Sequence, residues 1–167
     1  MPKIIENVRE QLLAEAKRQI RENGYAKTTV RSVAAACGLG VGTVYNYFPS
    51  KDMLIASFMA EEWLICLEKM KNADKGDSRS VIYCIYSELS AYTDSYRGLF
   101  SDKDAAKVFA SVFSERHSML RAQISEIILP LSEDAFLADF VAEAMLTWTV
   151  SGKDFDTLYN VIKKLIK

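Results

Sequence analysis

Residues 24–52 read GYAKTTVRSVAAACGLGVGTVYNYFPSKD, and two short helices joined by a glycine turn account for them. Val30, Val33, Ala34 and Cys37 recur at i, i+3, i+4 and i+7, the spacing of one buried stripe on a short helix. Gly38 stops that helix, because glycine is the favoured residue just past a helix C-terminus. Leu39 fills the corner, and from Val41 to Phe48 the helical pattern resumes with Val44 and Phe48 turned inward. Two such helices make a helix-turn-helix, whose second member can enter the major groove of DNA. The glycine run Gly38-Leu39-Gly40-Val41-Gly42 is not a nucleotide-binding loop, since no strand precedes it.

The flanking sequence is helical throughout. Ile5, Val8, Leu12, Ala16 and Ile20 line one face of a segment from Ile4 to Asn23, and Gly24 ends it. Pro49 breaks the chain after the helix-turn-helix, and Ser50 is an N-cap for a long helix from Lys51 to Asn72. Ser78 to Ser95 forms another helix. Tyr96 to Ser101, with Gly98, reads as a loop, and Ser101 caps the next helix. Asp102 to Leu129 is one long helix or two with a break near Ser114 to Ser118. Pro130 ends it, and Ser132 to Val150 and Asp154 to Ile166 form a final pair. No strand alternation or internal repeat occurs, so the fold is all-α with eight or nine helices. It divides into an N-terminal three-helix domain over residues 1–50 and a second helical domain over residues 51–167.

The chain of 167 residues is half hydrophobic, with 26% charged residues and a net charge of −1. That balance supports a packed core and argues against disorder. The charge is unevenly spread. Residues 1–50 hold seven Lys/Arg against four Glu, a net of +3, whereas residues 51–167 carry −4. The basic end is the helix-turn-helix end, and the acidic remainder would favour one docking orientation on DNA. Cys37, Cys66 and Cys84 are widely spaced, with no CxxC pair, so they suggest neither a disulfide framework nor a zinc site. Buried free thiols are the simpler reading, and a redox sensor is the alternative. The charged start MPKIIENVRE does not read as a signal peptide, and no apolar run reaches the roughly 20 residues that span a bilayer, so a cytoplasmic protein is expected.

The stretch resembles the N-terminal domain of the TetR family of bacterial transcriptional regulators. The residues that carry the resemblance are Gly24-Tyr25, Thr28-Thr29-Val30, Val33 to Ala36, Gly38, Thr43-Val44-Tyr45, Tyr47-Phe48 and Lys51. It implies a sequence-specific DNA-binding regulator, a repressor released from a pseudo-palindromic operator by a small-molecule effector. It also implies a homodimer, double-stranded DNA as partner and a cytoplasmic, non-enzymatic role with no cofactor or metal. In the family, positions matching Tyr45, Tyr47 and Lys51 serve mainly phosphate contact, which sets register and carries little sequence information. Thr28 and Thr29 begin the second helix, so one can cap it while the other offers a hydroxyl to the DNA backbone. Arg31 projects away from the Val33/Ala34 stripe toward guanine or phosphate. Gly42, Thr43 and Asn46 point away from Val44 and Phe48, with Asn46 matched to adenine and the Thr43 methyl to thymine. Gly40 stands where a serine-like cap is expected. The bland alternative makes Tyr45, Tyr47 and Phe48 mere packing aromatics.

Beyond residue 58 the family's helices enclose an effector pocket. The resemblance points to Trp63, Tyr86, Phe109, Phe113, His117 and Trp148 as its lining, although each also fits a helical core. His117, the single histidine, makes no catalytic or metal constellation by itself. Paired carboxylates, nucleophile–base pairs and metal-ligand spacings are also missing from the sequence, and no enzyme is expected. The C-terminal helix pairs of the family form a four-helix dimer bundle, which here assigns Val141, Met145, Trp148, Leu158 and Ile162 to the interface. A second reading keeps the fold but makes the chain an adaptor or co-activator that works through a protein partner without a ligand.

Overall fold

A computed structural model describes residues 7–167, and the side chains of all of these except 110–115. Among the described residues the elements are α1 (Val8–Lys27), α2 (Val30–Ala36), α3 (Val41–Tyr47), α4 (Lys51–Lys71), α5 (Ser78–Ser101), α6 (Lys103–Ile128), a 3-10 turn at Leu129–Leu131, α7 (Ala135–Val150) and α8 (Phe155–Ile162). The all-α expectation holds. Ile4 and Ile5, assigned to the first helix, lie outside the described residues.

Residues up to Glu62 together with Gly98–Phe109 form one compact unit, and Trp63–Arg97 with Ala110–Lys167 form a second. The first is built on the predicted apolar stripes: Val8, Leu12, Ala16 and Ile20 of α1, Val30, Val33 and Ala34 of α2, and Val44 and Phe48 around α3 are buried. Gly24 takes φ +80° and interrupts α1, which then makes one further turn to Lys27. The second unit has a continuous core that includes Trp63 and Met70 of α4, Ile82 and Ile85 of α5, Ile124 and Ile128 of α6, Met145 of α7 and Leu158 of α8.

Several boundaries differ from the sequence reading, among them the start of α7 at Ala135 and the end of α8 at Ile162. The expected loop at Tyr96–Ser101 is helical, and α5 runs through Gly98. Tyr96 and Leu99 are buried and extend the stripe of Leu89 by seven and ten residues, so burial outweighs the roughly 1 kcal/mol that an interior glycine costs. The cap of α6 is Asp102 rather than Ser101: its Oδ1 accepts from the Asp104 and Ala105 N–H groups at 2.9 and 3.0 Å. The stretch left open between one helix and two is a single helix, α6. Asp134 and Asp154 cap α7 and α8 through the N–H groups of Leu137 and Thr157, both at 2.9 Å. No described helix is long and apolar enough to cross a membrane.

Candidate nucleic-acid interface

The reading head is held from within the first unit. Thr29 caps α2 in a reciprocal box: its Oγ1 accepts from the Ser32 N–H at 2.9 Å, while the Ser32 hydroxyl oxygen accepts from the Thr29 N–H at 3.0 Å. The Ser32 hydroxyl also donates to Oε1 of the buried Gln19 on α1 at 2.6 Å, which pins α2 to α1. Gly38 takes φ +66° at the turn, a conformation that a side chain disfavours. Leu39 N–H then closes on the Ala34 carbonyl at 2.9 Å. These contacts fix the entry angle of α3, whose Val44 is wholly buried.

Gly42, Tyr45, Asn46 and Tyr47 lie exposed on α3, with Thr43 half-buried and Arg31 exposed on α2. A shallow groove runs between the two helices, bordered by Thr29, Arg31, Val41, Tyr45, Ser50 and Lys51. Its rim supplies hydroxyls, the Arg31 guanidinium and an aromatic ring, which are the groups that meet phosphate and base edges.

Two residues expected on the DNA face are committed elsewhere. Thr28 is 1% exposed, and its hydroxyl donates to the Gly24 carbonyl at 2.9 Å, so it satisfies the end of the interrupted α1 instead of facing solvent. Lys51 Nζ donates to the Tyr25 carbonyl at 2.9 Å and sits 3.5 Å from the centre of the Tyr25 ring. Burial holds the Lys51 ammonium below the ordinary lysine value, opposed by the charges of Asp52, Asp102 and Asp104. Tyr25 donates its hydroxyl to Asp52 Oδ1 at 2.6 Å and meets Phe109 edge-on, with ring centres 6.4 Å apart. Burial, reinforced by Asp52, raises the Tyr25 phenol well above the usual range. Tyr25 was not singled out as a site residue. Its signal was the Gly-Tyr pair itself, whose partner, Asp52, lies 27 residues on.

Of the residues expected to line an effector pocket, Trp63, Tyr86, His117 and Trp148 belong to the second unit. Trp63 lies in the second-unit core, donating its indole N–H to Gln123 Oε1 at 2.8 Å and packing edge-on against Tyr92. Tyr86 donates to the Lys153 carbonyl at 3.1 Å, and His117 Nε2 lies 2.9 Å from both oxygens of Glu143. Phe109 belongs to the first unit, and the Phe113 side chain lies outside the described residues. Trp148 is 50% exposed.

Among the residues assigned to the dimer interface, Met145 alone lies away from an apolar groove, whereas Trp148 is exposed at its edge. Val141, Met145, Leu158 and Ile162 are buried in the protomer's own core. The outward stripe of α7 is Phe136, Phe140, Ala144 and Trp148, spaced by four. Of these, Phe140, Ala144 and Trp148 border an apolar groove whose other apolar walls are Val161 and Leu165, with the expected Val141, Leu158 and Ile162 at its floor. Because α7 is apolar on two faces, its periodicity alone does not tell inside from outside. Burial pushes the Cys66 thiol up to about 11 and raises Cys37 and Cys84 as well, which leaves all three poorly nucleophilic.

Residues 12–58 match the family described as bacterial regulatory proteins, tetR family. The HTH-type transcriptional repressor Rv1474c of Mycobacterium tuberculosis is 36% identical over 184 aligned residues, covering 97% of this chain and 95% of that protein. The chain belongs to the TetR family. It is a helix-turn-helix transcriptional regulator, and its relatives are regulators of transcription. The fatty acid metabolism regulator protein of Bacillus subtilis is 26% identical over 120 residues, 71% of this chain but 59% of that protein. The TetR fold extends beyond the helix-turn-helix: a TetR transcription regulator from Haloarcula marismortui superposes with a TM-score of 0.61 at 16% identity, covering 95% of this chain and 98% of that one. FadR of Thermus thermophilus, a TetR family repressor solved with lauroyl-CoA, gives 0.55 at 21% identity and covers 93% and 90% of the two chains.

Proposed function

We propose that this TetR-family chain is a homodimeric repressor that binds a pseudo-palindromic operator and leaves it when a small molecule occupies the second helical region. Residues 1–50 read DNA, and residues 51–167 bind the effector and dimerise. The observation that carries the reading is the exposed face of α3, held out by a fully buried Val44 and flanked by Arg31. Arg31, Tyr45, Tyr47 and the Thr29 hydroxyl touch backbone or flanking bases, while Gly42, Thr43 and Asn46 meet base edges. Thr28 and Lys51 position the head. Two copies joined through Phe140, Trp148 and Val161 would offer α3 to half-sites about one helical turn, roughly 34–36 Å, apart.

The fatty acid metabolism regulator of Bacillus subtilis and the lauroyl-CoA bound by FadR of Thermus thermophilus support a fatty acyl-CoA thioester as the first effector to try. Release is a population shift, so the effector must bind the DNA-incompetent state more tightly than the competent one. The test is selection of random duplex DNA by the purified full chain against excess nonspecific competitor. Affinity for the winner is then measured over a salt series, with and without acyl-CoA. A palindromic consensus bound by a dimer supports the reading. Weak, sequence-blind binding refutes it, and undiminished operator affinity at saturating effector refutes the release mechanism.

A further inference from the structure

The chemistry on the outward face of α3 limits which bases it can read. Among its seven residues, Val41–Tyr47, no side chain is charged. Guanine is read in the major groove chiefly by arginine or lysine on O6 and N7, and cytosine by a carboxylate on N4. Neither group exists on this helix. Arg31, the arginine that borders the groove, belongs to α2 and not to this helix. The face at i, i+3 and i+4 consists of Gly42, Tyr45 and Asn46, all exposed. Asn46 carries a donor and an acceptor side by side, the complement of adenine N6 and N7.

Gly42 supplies the second half of the argument. A Cβ built there meets nothing within 4 Å, and its φ lies outside the left-handed region, so nothing within the described chain requires glycine. A glycine inside a helix nevertheless destabilises it relative to alanine. A bare backbone on an exposed reading face is useful when another molecule must approach closely, and the base-edge feature that seeks a small apolar contact is the thymine methyl.

We propose that the bases read by α3 in each half-site are A·T pairs, with adenine at Asn46 and thymine methyl groups against Gly42 and Thr43. The proposal rests on the operator-binding reading above and adds the operator's composition to it. It is tested with the full chain on the duplex selected from random DNA, by replacing single thymines with uracil, which removes the methyl and nothing else. Positions where Asn46→Ala, Thr43→Ser or Gly42→Ala alters base preference define the α3 footprint.

Within that footprint the consensus should be A·T only. Each thymine-to-uracil change should weaken binding about fourfold, the loss expected for one buried methyl group. Asn46→Ala should abolish discrimination at one position per half-site while the others stay as strict, a pattern that a purely structural residue would not give. Gly42→Ala should weaken operator binding tenfold or more while its melting temperature stays level or rises. A G·C-containing footprint, or uracil bound as tightly as thymine, overturns the proposal and leaves the regulator reading standing. Absence of any selected sequence overturns both.

Discussion

Phe140→Ala is the sharpest probe of the outward α7 stripe. In the protomer Phe140 is 51% exposed, so about half of its side chain remains to be covered by a second copy. Full burial of a phenylalanine side chain is worth roughly 1.5–3 kcal/mol, which leaves about 1 kcal/mol for the uncovered half. A two-fold interface contains the residue twice, so the dimer loses about 2 kcal/mol, a rise of about thirtyfold in its dissociation constant. Met145→Ala is the contrasting variant. Met145 is wholly buried, and its truncation should destabilise the fold by roughly 2–5 kcal/mol. Sedimentation equilibrium over a range of protein concentrations reads the first effect, and denaturant unfolding of the same samples reads the second. An unchanged dissociation constant for Phe140→Ala would show that this face does not join the two copies. A Met145→Ala chain with wild-type stability would show that α7 has been assigned the wrong inward face.

Three further outcomes follow from the geometry. Tyr25→Phe removes the 2.6 Å bond to Asp52 and should lower stability by about 1 kcal/mol, a drop of about 2–4 °C in melting temperature by calorimetry. Gly38→Ala forces a side chain into φ +66° and should destabilise by about 1–2 kcal/mol in denaturant titration, whereas the same substitution at Gly42 should not destabilise. The hydrogen bond from His117, with help from Thr147 and Arg121, holds the Glu143 carboxyl below its ordinary value of 4.5. A depressed carboxyl stabilises the fold above its unfolded pKa and loses that contribution as pH falls through the folded pKa, so Glu143→Gln should flatten the decline in melting temperature on acidification below about pH 5.

Much of the fold was legible because short-range rules dominate it. The α1 stripe, the Gly38 turn and the Ser50 cap, whose Oγ accepts from the Met53 N–H at 3.1 Å, each depend on residues within one or two helical turns. The misread segment at Tyr96–Ser101 shows the limit: Gly98 is a local signal for a loop, but Tyr96 and Leu99 find burial that outweighs it. The same limit applied to α7, where two apolar faces look alike until three-dimensional packing fills one. On the DNA face, exposure of Asn46 and Tyr45 followed from the inward positions of Val44 and Phe48. The capture of Thr28 by Gly24 and of Lys51 by Tyr25 did not, because both depend on how α1 is interrupted at Gly24.

The membership of Gly98–Phe109 in the first unit bears on how such regulators can be recombined. The reading head is discontinuous along the chain. A hybrid cut after residue 62 would carry α1 to α3 but leave behind the Phe109 ring on which Tyr25 rests and two of the three aspartates that act on Lys51, Asp102 and Asp104. Grafting this specificity onto another sensor therefore needs two splices, one after residue 62 and one that transplants the segment 98–109.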